Sequence, residues 1–516
     1  MPAQPSSQPP TAAVAGAGIA GLGAAIALRR AGFWVQVYER SRFGSEIGAA
    51  ISAPPNATAA LRRWGFDFAA AGAVPNVCTR YAAAGDLVEV SATEYEDIEA
   101  VMGAPSLSFH RVDLHHGLKV LATEDAGVGD GGEGGDGGGG KGVPVAIRLG
   151  CEVTGVDCEN GILTLADGSQ VQKDLVIIAD GAHSNLLADF LGRPAAVQPT
   201  GRSIYRWLVS MDDVMADPEL AEQFCGKLPG FLGWLDTAKS IFWANYTCRG
   251  GSVLNNAVVH DTEDYFSSQS PRSDDTNDHQ LGYSTQTGQA DNERGNKEEN
   301  MLWHTRAAKE TVLKALSNFH PAARRIVSMA SEDGIRVHRL YKRPPLESFV
   351  RGRTAIIGDA AHVMMPTHAA GCAVAIESAS VLEVLFKDLE EYPNSSANGY
   401  SDGLGEEDGS SGRGDQMVEG ARERIIMDRL RLFDKLRIPR CNLTMLVSNA
   451  GPEGLRVPGV EQEIRRFYHG PLPPKEARPW SEEFREVLFH YDAFEAAKQA
   501  LSDEKARGSG RVHSQP

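Results

Sequence analysis

Thr11-Ala12-Ala13-Val14-Ala15-Gly16-Ala17-Gly18-Ile19-Ala20-Gly21 is the stretch that decides the fold of this 516-residue chain. A short apolar run leads into three glycines, and a helix-like run from Ile19 to Ala31 follows. Gly32 ends that helix, and Trp34-Val35-Gln36-Val37-Tyr38 reads as a second strand finishing at Glu39. In such a strand–turn–helix, Gly16 permits the tight turn, Gly18 lets a phosphate approach the backbone, and Gly21 lets helix and strand pack closely. The helix N-terminus offers free N–H groups and a positive dipole end to a pyrophosphate. Glu39 stands about 20 residues beyond the glycines, where an acid accepts hydrogen bonds from an adenosine ribose. At this point NAD and FAD are equally good occupants.

Two further signatures lie far downstream. Asp174 to Ala179 is a near-continuous apolar run, the mark of a buried parallel strand, and it ends at Asp180-Gly181-Ala182-His183-Ser184. Thr354-Ala355-Ile356-Ile357 ends likewise at Gly358-Asp359-Ala360-Ala361-His362, with Pro366 in the loop beyond and a helix from about Gly371 to Phe386. Open α/β sheets place their ligands at the carboxyl ends of strands, where both Asp residues fall. Either one alone could be a simple helix cap.

The formal net charge is −17. Three Gly-, Ser- and acid-rich segments, 126–143, 267–300 and 393–416, carry −2, −4 and −4 of it and are too poor in large apolar residues to offset the entropy of ordering. They read as disordered surface insertions. The remainder is mildly acidic, without the basic stripe of a nucleic-acid binder. Seven scattered cysteines with no C-x-x-C pair argue for a reducing compartment, with neither a disulfide framework nor a zinc site. No stretch approaches the roughly 20 apolar residues of a membrane span, so a cytoplasmic protein without a membrane anchor is expected.

The three glycine signatures, with Glu39-Arg40, Pro55-Asn56-Ala57, His110-Arg111-Val112-Asp113-Leu114 and Tyr246-Thr247-Cys248-Arg249-Gly250-Gly251, resemble the class A flavoprotein monooxygenases, most of all the salicylate-hydroxylase-like branch of fungal type. Glu46-Ile47-Gly48-Ala49 and Ala375-Ile376-Glu377-Ser378-Ala379 add to the likeness, which runs from about residue 11 to residue 390. It implies an α/β fold: a Rossmann-like FAD-binding domain of the para-hydroxybenzoate-hydroxylase type, an inserted β-rich substrate domain and a C-terminal helical region. The implied segments are 11–80, 106–195 and 338–392 for FAD, 81–105 and 196–337 for substrate, and 417–502 for the C-terminal helices.

The resemblance assigns FAD contacts to Gly16, Gly18, Gly21, Glu39, Arg40, Ala50, Arg111, Asp180, Asp359, Gly371 and Cys372. Glu39 would bind the adenosine ribose, Asp359 the ribityl chain, and the helix from Gly371 would point its positive end at the isoalloxazine. Two positions depart from the pattern. The Arg that usually closes the Asp-Gly signature would fall at Leu187, and the last loop reads Ala369-Ala370-Gly371 without the usual Gln. Cys372, at a helix start, is a candidate for a depressed pKa, with packing as its other role.

Only one dinucleotide fingerprint is present, which fits NAD(P)H as a transient reductant that visits a mobile flavin. In the family, reduced FAD and O2 form a C4a-hydroperoxide that hydroxylates an aromatic, typically phenolic, small molecule. A phenol has a pKa of about 10, so a nearby cation must favour the phenolate. The resemblance to fungal phenol-oxidising relatives makes Arg206 and Tyr246, on segments that alternate like strands, the expected catalytic pair, with His338 and His368 as weaker alternatives. Epoxidation or dearomatisation of a natural product is the alternative chemistry. A catalytically silent flavoprotein is the alternative from another class. Met417 to Asn449 reads as one or two helices, and Ser481 to Leu501 as a final amphipathic helix.

Overall fold

The computed structural model describes residues 8–42, 49–124, 142–195, 197–262, 305–387, 389 and 411–512, and only the backbone of 411–419 and 508–512. Residues 126–141, 267–300 and 393–410 of the expected insertions, and Glu46 to Gly48, lie outside them.

The central sheet has the order β19 (Val350–Arg351), β20 (Thr354–Ile356), β12 (Leu175–Ile178), β1 (Thr11–Ala15), β2 (Trp34–Glu39), β8 (Ala146–Leu149). All neighbours are parallel except the β19–β20 pair. β12 is buried along its whole length, as its unbroken apolar run requires. The Ile19–Arg30 helix packs against the Gly371–Phe386 helix, and the side chains of both join the main core. Within that core Arg30 pairs with Glu383 at 3.1 Å, and Trp64 Nε1 donates to the same carboxylate at 2.7 Å.

An eight-stranded sheet forms the second body, in the order β17 (Thr305–Arg306), β18 (Arg336–Lys342), β13 (Gln198–Ser210), β16 (Val253–Asp261), β15 (Ile241–Cys248), β14 (Phe231–Asp236), β5 (Cys78–Ala83), β6 (Glu89–Glu94). Tyr205, Trp207, Trp234 and Trp243 fill its outer core with the two helices between Lys309 and Met329. Two small sheets complete the fold: β3 (Ala50–Ala53) and β4 (Val74–Pro75) flanking β7 (Leu107–His110), and β9 (Val153–Asp157), β10 (Ile162–Leu165) and β11 (Gln170–Gln172) as a meander.

Three expectations are corrected here. β18 stays in the eight-stranded sheet as far as Lys342, so the substrate body does not end at residue 337. One helix, Ser411–Asn449, replaces the expected start at Met417 and runs through Pro439. Once a packed helix has nucleated, extending it costs little per residue. The final helix is two, Glu482–Leu488 and Ala493–Val512. Asp492 ends the continuity by accepting from the N–H groups of Phe494 and Glu495 at 2.9 and 3.0 Å, which caps a new helix. No described helix is long and apolar enough to cross a membrane.

Candidate active site

The three glycine signatures and Glu39 end four adjacent strands, β20, β12, β1 and β2 in that order. At about 4.8 Å per strand they span about 14 Å along one carboxyl edge, with Asp359 at one end and Glu39 at the other. Gly16 has φ +100°, and a side chain there would strike the Ala179 carbonyl. A side chain at Gly21 would strike the Gly16 carbonyl, so the turn and the helix–strand contact both need glycine. Beside Gly18 nothing lies within 4 Å of where a Cβ would stand, leaving an open backbone face at the helix start.

Glu39 accepts from the N–H groups of Ala17 at 2.8 Å and Ser41 at 2.7 Å, and each oxygen retains a lone pair for a ribose hydroxyl. His115 Nε2 bonds to the Ala17 carbonyl at 2.7 Å, so that peptide is held on both sides. Arg40 is exposed beside it.

At the other end Asp180 accepts from the Asn185 N–H at 3.1 Å while its Oδ1 is sealed without a partner. Burial raises its pKa. Asp359 opens toward the cleft but lies deep in the molecule. That enclosure raises its carboxyl against the opposing pull of His362, Arg111 and Arg343. Arg111 opens the Arg111–Thr123 helix, and its backbone N–H donates to the Ala49 carbonyl at 2.8 Å. Its charge is felt at Asp359, Cys372 and Arg206, which makes it the hub of the site. Gly371 starts its helix beside Asp359, whose Oδ1 lies 3.9 Å from where a Cβ would stand. At Cys372 burial, reinforced by the Asp359 charge, pushes the thiol up to about 12, so of its two expected roles the depressed pKa is set aside and packing remains.

Arg343 was not singled out by sequence, because Lys342-Arg343-Pro344-Pro345 reads as an ordinary loop. It is buried, donates from Nη2 to the Ala182 carbonyl at 3.2 Å, and its charge acts on both Asp180 and Asp359. Leu187, where the family pattern has Arg, is buried in the core. The cation at the Asp-Gly signature therefore comes from a distant segment.

Cross-strand register sets the inner face of the eight-stranded sheet. Arg206, Ala257, Ala244, Gly233 and Tyr81 stand opposite one another across five strands, with Tyr246 and Asn255 paired one step along. A side chain at Gly233 would collide with the rings of Phe242 and Tyr81, so its absence lets both rings close over the strand. Phe231 stacks on Phe242 at 5.8 Å and on Tyr246 at 6.1 Å. The result is a bay with a small-residue floor, aromatic walls and, on its β13 side, the Arg206 cation, whose register partner on β18 is Arg336.

That cation, Arg206, is partly covered, with its Nε sealed and unpartnered. Burial lowers its pKa, and among the described residues the charged or polar groups that act on it are Tyr246 and Arg111, with no carboxylate. Tyr246 donates its hydroxyl to the Ala50 carbonyl at 2.9 Å, and burial pushes its pKa up to about 12. His338 stands opposite Ile204 on β18. His368 is buried against Phe484 at 4.6 Å with neither ring nitrogen bonded, and burial pushes it down to about 3. A neutral imidazole of that kind is a poor proton acceptor.

The glycine turn with its open face, the ribose acceptor and the strand-end carboxylates together fit FAD. A family profile described as an FAD binding domain matches residues 247–389. A hispidin-3-hydroxylase from Neonothopanus nambi is 29% identical over 387 residues, covering 72% of this chain and 79% of that protein. An FAD-dependent monooxygenase, cfoG, from Aspergillus candidus is 27% identical over 501 residues, covering 95% of this chain and 94% of its own. The fold matches a salicylate hydroxylase solved as a substrate complex with a TM-score of 0.62 at 21% identity, covering 95% of this chain and 98% of that one. The chain is an FAD-dependent monooxygenase similar to the class A aromatic enzymes, with the fold of a salicylate hydroxylase.

Proposed function

We propose that this enzyme uses NAD(P)H and O2 to hydroxylate a phenolic small molecule held in the Arg206 bay. The observation that carries the reading is Arg206 itself, a desolvated guanidinium with no carboxylate partner among the described residues, on an aromatic-lined face. A buried charge of that kind calls for an anionic ligand. Bound FAD supplies electron transfer and oxygen activation. The chain's residues do the rest. Arg206 takes the phenol oxygen as phenolate, which enriches the ortho and para carbons in electrons. Phe231, Phe242 and Tyr81 hold the ring against the Ala244–Ala257 floor and exclude water. Tyr246 keeps its proton, already given to Ala50, and presents a lone pair to a donor on the ligand. In balance, an aromatic C–H, O2, NAD(P)H and a proton give the phenolic C–OH, NAD(P)+ and water.

Gly16, Gly18 and Gly21 would take the pyrophosphate, Glu39 the ribose, and Asp359, Gly371 and Arg111 the flavin end, with Ala50, Arg40, Asp180 and Cys372 lining the same cleft. The reductant would dock transiently on the Asp180–Arg343 side. Anaerobic mixing of the FAD-loaded protein with NADH or NADPH, with and without a panel of phenols, tests the reading. A phenol that speeds flavin reduction, and in air yields product labelled from 18O2, supports it. No stimulation by any phenol, with NAD(P)H oxidation uncoupled from product throughout, overturns it.

A further inference from the structure

Tyr246 and Asn255 are direct cross-strand partners on β15 and β16. Both reach off the substrate sheet to the same residue of another sheet. The Ala50 N–H donates to Asn255 Oδ1 at 3.0 Å, and the Ala50 carbonyl accepts from the Tyr246 hydroxyl at 2.9 Å. Both polar groups of one peptide residue are therefore held by one pair of side chains. Asn255 is 2% exposed, and its remaining amide donor, Nδ2, is sealed without a partner. Ala50 begins β3 and pairs with His110, directly before Arg111, whose charge acts on Asp359 and Arg206.

We propose that Asn255 and Tyr246 form a clamp on Ala50 that fixes the start of β3 against the substrate sheet, and, resting on the placement of Ala50 in the FAD cleft proposed above, that Asn255 is a positioning residue for FAD. Tyr246 also borders the bay and stacks on Phe231, so a ligand that displaces its ring moves the Ala50 peptide. The clamp is a route from the substrate bay to the cofactor that needs no contact between substrate and β3. It does not depend on which phenol is used, and its failure would leave the proposed reaction standing.

The test uses FAD itself. Asn255→Ala and Tyr246→Phe are titrated with FAD by flavin fluorescence, and the visible absorption and circular dichroism of the bound flavin are recorded. Each variant should weaken FAD binding by at least about fivefold, the scale set by an unpaired buried group, and both should alter the flavin spectrum in the same sense. The double variant should lose less than the product of the two single losses, because the two side chains hold one residue. Unchanged FAD affinity and spectrum in both single variants would overturn the clamp, even if their melting temperatures fall. So would strictly multiplicative losses. Tyr246→Phe is isosteric, so the proposal remains testable if Asn255→Ala does not fold.

Discussion

Arg206 shows how far a single residue can be read from sequence. Its place on an alternating strand marks it as facing one side of a sheet, but nothing local says that no acid meets it there. That follows only from the β13–β16–β15 register, which sets Ala257 and Ala244 across from it. Replacing Arg206 with Gln should raise the KM for a phenol about 10- to 100-fold, the range of a charge-assisted hydrogen bond. It should also move the substrate limb of the pH profile up toward the free phenol pKa of about 10. An unchanged KM and profile would remove Arg206 from the site. His368 makes a second test at this scale. Its folded pKa of about 3 lies below the unfolded value of about 6.5, so between those limits the unfolded chain binds a proton that the folded chain refuses. Its stabilising neutrality is intact above about pH 6.5 and is lost as pH falls toward 3, a penalty of about 2 kcal/mol at pH 5. His362, also pushed down by burial, acts in the same direction. Urea denaturation of His368→Leu at pH 7 and pH 5 should show a gap about 2 kcal/mol smaller than that of the parent protein. An identical gap would mean that His368 is not the acid-sensitive group.

At the scale of elements, the strand-end signatures were legible because each is local: a buried run, a turn residue and a helix start within a dozen positions. The Gly371–Phe386 helix begins and ends where its sequence says. What joins that helix to the C-terminal region was not legible. Glu377 is fully buried and accepts from Arg437 Nη2 and Arg440 Nη2, both at 2.8 Å, and from Asn56 Nδ2 at 2.6 Å. Burial alone would raise its pKa, but Arg440 and Arg437 together bring it below the ordinary value. Both arginines project from the Ser411–Asn449 helix, and Arg440 also donates to the Val487 and Leu488 carbonyls. Three helices thus meet on one carboxylate from segments more than 50 residues apart. Such a meeting has no signature within any one segment. Glu377→Gln leaves two buried guanidiniums without their counter-ion and should destabilise the protein by about 3–5 kcal/mol. Limited proteolysis should then cut within residues 450–480 before any other described segment. A loss under about 1 kcal/mol, with the parent cleavage pattern, would show that the pair is replaceable by packing.

For the whole molecule, the order of strands at the carboxyl edge is the consequential fact. β1 and β2 come from the first 39 residues, β12 ends at residue 178 and β20 at residue 356. The FAD cradle therefore exists only after three separated stretches, with six of the eight strands of the substrate sheet threaded between the last two, have come together. Arg343 acts in the same direction, since it follows directly on Lys342 of the substrate sheet, donates to the Ala182 carbonyl beyond β12, and its charge acts on both Asp180 and Asp359. No partly assembled state holds all the contacts of the cofactor, so FAD binds the native state alone and should stabilise it by mass action, by about 2.7 kcal/mol at a 100-fold excess over its Kd. Melting temperature should climb with the logarithm of FAD concentration. On heating, release of flavin fluorescence should coincide with loss of far-ultraviolet circular dichroism, in one transition. Arg343→Met should lower both together by removing the cation between two strand-end carboxylates. Flavin release well ahead of the loss of secondary structure would instead mean that the edge opens on its own, and that the three stretches are joined less tightly than their shared sheet requires.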